Sequence, residues 1–261
     1  MSGPGTRGRA VILMYHRVSR TPFEPSEGDY VVPAEDFARQ MDLLAAGGGR
    51  VVSLPDLQAG PCPERSVALT FDDGCDTDVS AALPILRERG FTAAFFVNPA
   101  RLGRDGYLSW RQVSELAAAG MVVGSHGMDH QLLDGMGADE LAEQLAGSRR
   151  ALEQGLGTSV YTLSLPGGSG GEPAVRAARE AGYRVILGSA PGRVHPPALP
   201  RVLPRYAIRR SWGFEQFRDL VDQRLSVRAA QALRYRGTRL VRAALGAGRY
   251  ERLRRDWLTR S

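Results

Sequence analysis

The sequence predicts a single α/β domain built on a parallel sheet or barrel. Short apolar runs, typical of buried strands, alternate with longer segments of helical periodicity, and this order is typical of strand–helix–strand units with right-handed crossovers. With 261 residues, of which 43% are hydrophobic and 24% charged, the chain has the size and composition of one globular domain.

The N-terminal elements follow from apolar runs and glycine stops. Residues 10–16 form an apolar run that ends in His16 and predicts a buried strand. Residues 33–46 predict a helix, because large apolar residues recur every three or four positions and three glycines follow. Residues 51–54 predict a short strand.

The central elements alternate regularly, and each helix ends at a glycine, as helices often do. Strands are predicted over residues 67–71, 93–97 and 121–124, with helices over residues 78–89 and 110–119.

The remaining elements continue the pattern as far as a last strand, after which only helices are predicted. A long helix over residues 138–156 and a helix over residues 173–181 separate strands over residues 161–165, 184–188 and 203–208. We therefore expect a flexible N-terminus over residues 1–9, the α/β domain over residues 10–212, and an arginine-rich helical extension over residues 213–261.

The basic charge of the chain is concentrated in this extension. All 34 basic residues are arginine and the net charge is +6, but residues 225–261 contain ten arginines against two acidic residues. No nucleic-acid-binding module accompanies the charge, so we expect no nucleic-acid partner. The extension has two other interpretations: a solvated helix docked on the domain, or a surface that lies on anionic lipid.

Cysteine content and the N-terminal residues bear on the compartment. Cys62 and Cys75 are the only cysteines, which excludes a disulfide framework, and they lack metal-type CxxC spacing. No signal peptide is recognisable, because the apolar run at residues 10–15 is too short for one. We expect a cytoplasmic protein, peripheral at the membrane if the extension binds lipid.

Metal-ligand side chains follow two of the predicted strands. Asp72 and Asp73 come directly after the strand over residues 67–71, and His126 and His130 follow the strand over residues 121–124. The carboxyl ends of parallel strands meet on one face of such folds. Carboxylate and imidazole are ligands suited to zinc and its neighbours, so these segments predict a metal site.

The order and spacing of three motifs resemble those of the polysaccharide deacetylase family, the carbohydrate esterases with a NodB-homology domain. The motifs are Thr-Phe-Asp-Asp-Gly at residues 70–74, the pair His126 and His130, and Leu-Pro-Gly-Gly at residues 165–168. The opening Leu-Met-Tyr-His-Arg-Val at residues 13–18 resembles the branch that acts on exopolysaccharides such as poly-N-acetylglucosamine. The resemblance covers about residues 10–210.

The resemblance implies a distorted (β/α) barrel and a divalent metal, most often Zn²⁺. Asp73, His126 and His130 would bind the metal, and Asp72 would be the base that takes a proton from the attacking water. The implied reaction removes the N-acetyl group of an N-acetylated polysaccharide or oligosaccharide. The Pro166, Gly167 and Gly168 turn would form a pocket wall against the sugar.

The residues themselves are suited to this chemistry. A metal lowers the pKa of bound water and so supplies a nucleophile near neutral pH, and three protein ligands leave one coordination position open. Adjacent acids at a strand end point in different directions, so one can bind a metal while the other contacts water.

The chain departs from the family pattern at three positions. Ser164 stands where the third motif has an arginine that orients the catalytic aspartate, and we hypothesise that Arg205 replaces it. The histidine of the last motif has no clear counterpart; His16, at a strand end, is a better candidate for the general acid than His195. Gly127 stands where Ser or Thr is common.

Two alternatives to a polysaccharide deacetylase remain open. One is another amidase on the same scaffold, such as a deformylase or an imide hydrolase; retention of all three metal ligands disfavours its metal-free forms. The other is a carbohydrate-binding protein without turnover, which the missing motif arginine favours.

Overall fold

The computed structural model describes residues 8–21, 28–168 and 170–245, with residue 239 and residues 241–245 described by their backbone alone. Within these residues nine strands form one sheet and two more form a short parallel pair. The strands are β1 (Ala10–Tyr15), β2 (Arg17–Ser19), β3 (Val31–Pro33), β4 (Arg50–Val51), β5 (Ser66–Phe71), β6 (Ala94–Val97), β7 (Val122–Ser125), β8 (Thr162–Ser164), β9 (Val185–Leu187), β10 (Arg193–Val194) and β11 (Tyr206–Ala207).

The helices occupy most of the connections between these strands. They are α1 (Ala34–Leu43), α2 (Leu54–Ala59), α3 (Leu83–Glu88), α4 (Trp110–Ala118), α5 (Ala138–Ala142), α6 (Ser148–Leu156), α7 (Gly171–Glu180), α8 (Phe214–Val221) and α9 (Leu225–Leu245). Wider, π-type turns follow α1 at Leu44–Gly48, precede α3 at Asp78–Ala82, and join α5 to α6 at Glu143–Gly147.

The main sheet has the order β10-β1-β5-β6-β7-β8-β9. Neighbouring strands from β1 to β9 are parallel, and β1 pairs with β5 over its whole length, from Ala10 opposite Ser66 to Tyr15 opposite Phe71. Every residue of β1, β5 and β6 is buried. A parallel sheet covered on both faces requires such continuous apolar strands.

Residues 203–208 bridge the gap between the first and last strands of the parallel series. Leu203 forms a parallel bridge with Leu187 at the end of β9, while Tyr206 in β11 pairs with Leu13 in β1. The curled sheet therefore approaches a distorted barrel, and the segment that contains Arg205 lies at its seam.

Alternate residues of each strand face two different apolar clusters. In β1, Val11, Leu13 and Tyr15 belong to the cluster that contains residues of the surrounding helices, whereas Ala10 and Ile12 belong to a smaller cluster that includes Leu residues of α2. The same period of two continues into β5. It places Ala68, Thr70 and Asp72 on the inner side of the curled sheet. This side therefore packs against apolar residues at Ala68 and contributes a side chain to the candidate site at Asp72.

The predicted α/β barrel is confirmed, with local differences. The predicted strand over residues 51–54 ends early, because Ser53 caps α2: its hydroxyl accepts from Asp56 N–H (3.1 Å) and its own N–H donates to the Asp56 carboxylate (3.0 Å). The predicted last strand shortens to Tyr206–Ala207, since Pro204 has no N–H to donate. β10 is antiparallel to β1, which the sequence pattern did not predict.

The predicted helices beyond residue 213 begin with α8, whose Phe217, Leu220 and Val221 are buried in the main core. The domain boundary at residue 213 stays a prediction. Residues 1–7 of the predicted N-terminal segment and residues 246–261 of the predicted C-terminal extension lie outside the described residues. No helix in the described part of the chain combines the length and apolar character needed to span a membrane.

Candidate active site

Asp72 and Asp73 lie at the carboxyl end of β5, where the backbone turns sharply. Asp72 continues the strand, and its N–H donates to the Tyr15 carbonyl at 3.0 Å. Asp73 has a left-handed backbone with φ of 78°, a conformation that costs a non-glycine residue on the order of 1–3 kcal/mol. The turn breaks the alternation of the strand and brings both carboxylates to the same side of the sheet.

His126 and His130 approach one oxygen of Asp73. The Nε2 atoms of His126 and His130 lie 3.4 Å and 3.2 Å from Asp73 Oδ1. His130 also has a left-handed backbone, with φ of 70°. The structure thus brings together the three predicted metal ligands, with one donor atom of each within 4.8 Å of the others.

The geometry of this cluster fits a metal ion. Ligands at 2.0–2.1 Å in tetrahedral geometry around zinc lie about 3.3 Å from one another, close to both separations from Asp73 Oδ1. That oxygen is buried and has no hydrogen-bond partner among the described residues. His126 Nδ1 lies 2.8 Å from the Ser164 carbonyl, to which it can only donate. The neutral ring then carries its lone pair on Nε2, where a metal would bind.

The ionisation of Asp73 and His130 is consistent with this assignment. Although burial alone would raise the pKa of the Asp73 carboxyl, the imidazoles of His126 and His16 hold it well below its usual range. Burial, reinforced by the neighbouring His126, lowers the pKa of His130 to about 4. Asp72 and Asp73, by contrast, raise the pKa of His126 against the effect of burial. Metal binding requires neutral imidazoles, so it would compete with protonation at His126 more than at His130.

Asp72 is held by Arg205 in a buried, bidentate ion pair. Arg205 Nη1 donates to Asp72 Oδ1 and Nη2 to Oδ2, both at 2.8 Å, and the Arg205 residue is fully buried. Burial alone would raise the pKa of Asp72, but the Arg205 guanidinium outweighs it and holds that pKa below its usual value. The contact hypothesised between these two residues is therefore present.

All five N–H donors of Arg205 have partners. Besides the two bonds to Asp72, its Nε donates to Gly188 O (2.7 Å), Nη1 to Thr70 Oγ1 (3.2 Å) and Nη2 to Ser164 Oγ (2.7 Å). The Ser164 hydroxyl in turn donates to Asp72 Oδ2 at 3.0 Å. Because a buried charge is tolerated only when it is paired and hydrogen-bonded, this network keeps Asp72 ionised and fixed in one orientation.

His16 follows β1 on the same face of the sheet. Its ring contacts Tyr30 with centroids 4.5 Å apart, and its Nδ1 is buried without a hydrogen-bond partner among the described residues. Burial lowers the pKa of His16, against the opposing effect of Asp73 and Asp72. His195, the rejected alternative, is exposed between β10 and β11.

The Pro166–Gly168 turn lies beside the histidine pair. It directly follows β8, and a side chain added at Gly127 would lie 3.2 Å from Pro166 Cγ. On its other side a cavity of about 270 Å³ extends from Gly168 towards Ala190 and Tyr235. Contact between this turn and a bound sugar stays a prediction.

Sequence analysis missed several polar residues that support the site. Ser164 was considered only as the position of a missing arginine, yet its carbonyl orients His126 and its hydroxyl contacts Asp72. Thr70, Asn98 and Gln144 also contact site residues or the histidine turn. Thr70 and Ser164 could have been found, because each is a polar residue at the carboxyl end of a buried strand.

Comparison with known proteins gives the same family as the motifs. The family model described as polysaccharide deacetylase matches residues 59–186. YxkH of Bacillus subtilis, whose name assigns it provisionally to the polysaccharide deacetylases, is 28% identical over 76% of this chain and 69% of its own length. A peptidoglycan-N-acetylglucosamine deacetylase of Bacillus cereus is 29% identical over 49% of this chain, which spans about three fifths (59%) of that relative.

A solved structure supports the assignment at the level of the fold. IcaB from Ammonifex degensii superposes with a TM-score of 0.71 at 25% identity, covering 82% of this chain and 96% of that protein. The curled parallel sheet, the three motifs gathered at one end of it and the family-model match over residues 59–186 together support the polysaccharide deacetylase family, the carbohydrate esterases with a NodB-homology domain.

Proposed function

We propose that the chain is a metal-dependent hydrolase that removes N-acetyl groups from an N-acetylated polysaccharide or oligosaccharide. The observation that carries the proposal is the convergence of Asp73, His126 and His130 on one point, with Asp72 beside them. Asp72 Oδ2 lies 4.0 Å from His126 Nε2. The similarity to a peptidoglycan-N-acetylglucosamine deacetylase supports an N-acetylated glycan as the substrate.

Asp73, His126 and His130 would hold the metal, for which we propose zinc. The ion would supply Lewis-acid chemistry, lowering the pKa of water and polarising the acetyl carbonyl. The hydrogen bond between His126 Nδ1 and the Ser164 carbonyl fixes the ring orientation of that ligand.

Asp72 is the proposed general base. Its ion pair with Arg205 keeps the carboxylate ionised, so that it can accept a proton as the water attacks the acetyl carbon. The Arg205 guanidinium would act as a positioning group, because all its donors are used within the protein and none remains for the substrate.

His16 is the proposed proton donor to the leaving amine. Burial lowers the pKa of its imidazole, so the ring would have to gain a proton before it donates one to the amine. Pro166, Gly167 and Gly168 would line the sugar site with backbone groups. The resemblance of the opening motif at residues 13–18 to the exopolysaccharide branch favours a poly-N-acetylglucosamine type of glycan.

Acetate release from N-acetylglucosamine oligomers tests the proposal. We expect the purified chain to release acetate, to lose this activity after treatment with a chelator, and to regain it when zinc is restored. His130→Ala should abolish the activity because it removes a metal ligand, whereas His195→Ala, at the exposed histidine outside the site, should leave it unchanged. Bound metal without acetate release would favour another amidase or a carbohydrate-binding protein. A chain that neither binds metal nor releases acetate would contradict the proposal.

We also propose that the C-terminal helix contacts the surface of an anionic membrane, which would place the enzyme at the periphery of that membrane. Leu225, Leu233 and Leu240 of α9 are 73%, 74% and 71% exposed. At the helical repeat, they lie within an arc of about 80° on one side of the helix. The sequence has no acidic residue from position 223 to position 250. An apolar stripe among arginines is typical of helices that lie in the lipid interface.

Vesicle flotation measures this contact. We expect the full chain to float with vesicles that contain phosphatidylglycerol and to stay unbound with phosphatidylcholine alone, because lipid charge attracts the arginines. Replacing Leu225, Leu233 and Leu240 by serine should reduce flotation, while Trp110→Ser, at an exposed apolar residue outside this helix, should not. Equal flotation of both variants, or none by the wild type, would refute the contact.

A further inference from the structure

The turn between His126 and His130 has to hold two imidazoles in fixed positions with an unusual backbone. Gly127 and His130 both have left-handed backbones, with φ of 75° and 70°. Since a non-glycine residue is strained in this conformation, other contacts must hold His130 in place. The conformation of Met128 and Asp129, two of the three residues between the histidines, therefore affects how far apart the two imidazoles lie.

Gln144 forms hydrogen bonds with both Met128 and Asp129. Its side-chain Oε1 accepts from Met128 N–H at 3.0 Å, and its Nε2 donates to Asp129 Oδ1 at 2.8 Å. Gln144 is only 5% exposed, so its amide cannot exchange these bonds for bonds to bulk water. A buried amide that bonds through both its oxygen and its nitrogen is confined to one orientation.

Other contacts hold the carbonyl groups of the same turn. Ala100 N–H donates to Met128 O at 3.0 Å, and Arg101 Nε donates to Asp129 O at 3.1 Å. These bonds come from the segment after β6, on one side of the turn. Gln144 comes from a helix and holds the N–H of Met128 and the side chain of Asp129, so the turn is fixed from two elements.

The wide turn at Glu143–Gly147 explains how a helical residue reaches this position. The π-type turn shifts the helical register between α5 and α6, and such insertions often occur at functional sites. A Cβ atom placed on Gly127 would lie 3.3 Å from Gln144 Oε1. The amide of Gln144 thus occupies the space that a side chain at residue 127 would otherwise use.

We propose that Gln144 is a positioning residue for the metal site: it sets the separation of His126 and His130 without contacting metal or substrate. The inference rests on the proposed metal-dependent function and adds to it a residue that the motifs do not contain. Groups that orient metal ligands in this way typically change metal affinity by about 10- to 100-fold when they are removed.

The test measures zinc affinity by competition with a chromophoric chelator. Gln144→Leu keeps the size of the side chain and removes both hydrogen bonds, and we expect its zinc dissociation constant to rise by about 10- to 100-fold. Gln40→Leu is the matched control. Gln40 is also a buried glutamine on a helix, 4% exposed, and accepts a hydrogen bond from the Tyr15 hydroxyl at 2.8 Å. This control should lose stability without losing zinc affinity.

Asp129→Ala provides a second variant if Gln144→Leu does not fold. It removes the carboxylate to which Gln144 donates, so we expect weaker zinc binding. Because Asp129 lies in a partly exposed turn, we expect the variant to fold. In the double variant the loss should be smaller than the sum of the single losses, because the two residues act through one contact. The visible spectrum of the cobalt-substituted proteins should change in both single variants and stay unchanged in Gln40→Leu.

The outcomes separate this inference from the proposed function. Zinc affinity in Gln144→Leu equal to that of the wild type, or an equal loss in Gln40→Leu, would overturn the role of Gln144 while the metal site stands. A wild-type chain that binds no zinc would overturn both.

Discussion

Asp72→Asn is expected to lower kcat by about 10²- to 10⁴-fold, the contribution that a general base typically makes. The amide cannot accept the proton of the attacking water. Asp72 is not among the three proposed metal ligands, so the metal content should match that of the wild type. Acetate release at saturating substrate, with metal analysis of the same samples, measures both quantities.

Stability must be measured alongside this variant. Without the carboxylate charge, Arg205 stays buried with a weaker partner, and some loss of folding free energy is expected. Assays are therefore run well below the melting temperature of the variant. Activity within tenfold of the wild type, in a folded sample with bound metal, would exclude Asp72 as the base.

Arg205→Met is expected to cost about 3–5 kcal/mol of folding free energy at neutral pH, the usual effect of removing one partner from a buried ion pair. The variant leaves the Asp72 carboxylate buried without a compensating charge and also removes hydrogen bonds to Thr70 and Ser164. Denaturant unfolding at several pH values measures the difference.

The pH dependence of this difference has a defined sign. Arg205 lowers the pKa of Asp72 in the folded wild type, so this residue contributes stability above its unfolded pKa of about 3.9 and loses it as pH falls through the lower folded value. In Arg205→Met, burial raises the folded pKa of Asp72 instead, so the carboxyl takes up a proton at higher pH. The stability gap between wild type and variant should therefore narrow on acidification.

A double variant tests the cause of the loss. Adding Asp72→Asn to Arg205→Met removes the unpaired charge and should recover part of the lost stability. If Arg205→Met lowers the free energy of unfolding by less than about 1 kcal/mol, the scale of an exposed ion pair, the pair has little effect on folding. If the double variant is no more stable than Arg205→Met, the lost stability comes from packing and not from the unpaired charge.

The part of the site that the sequence predicts follows from strand ends and alternation. Every residue of β5 is buried, and the period of two places Thr70 and Asp72 on one side of the sheet. His126 follows β7 in the same way. Parallel strands bring these ends together, so the grouping of Asp73, His126 and His130 requires no knowledge of tertiary detail beyond the sheet.

The rest depends on geometry that residue patterns do not contain. The contribution of Gln144 depends on one wide helical turn, and a regular helical projection over residues 138–156 does not show the register shift. The helix α2 was missed because the Ser53–Asp56 capping interaction outweighed the strand propensity of the valines before it. Arg205 could be hypothesised only because a motif position lacked its arginine; its bidentate contact depends on where the seam places it.

Because Arg205 lies at the seam of the barrel, the charge of Asp72 is compensated only after the last strand has joined the sheet. The short segment that connects Leu187 of β9 to Leu13 of β1 also carries the guanidinium that neutralises Asp72. A molecule whose last strand has not docked would thus have an uncompensated acid at its centre and no oriented base. Partly assembled chains would therefore lack the oriented carboxylate that the proposed reaction requires.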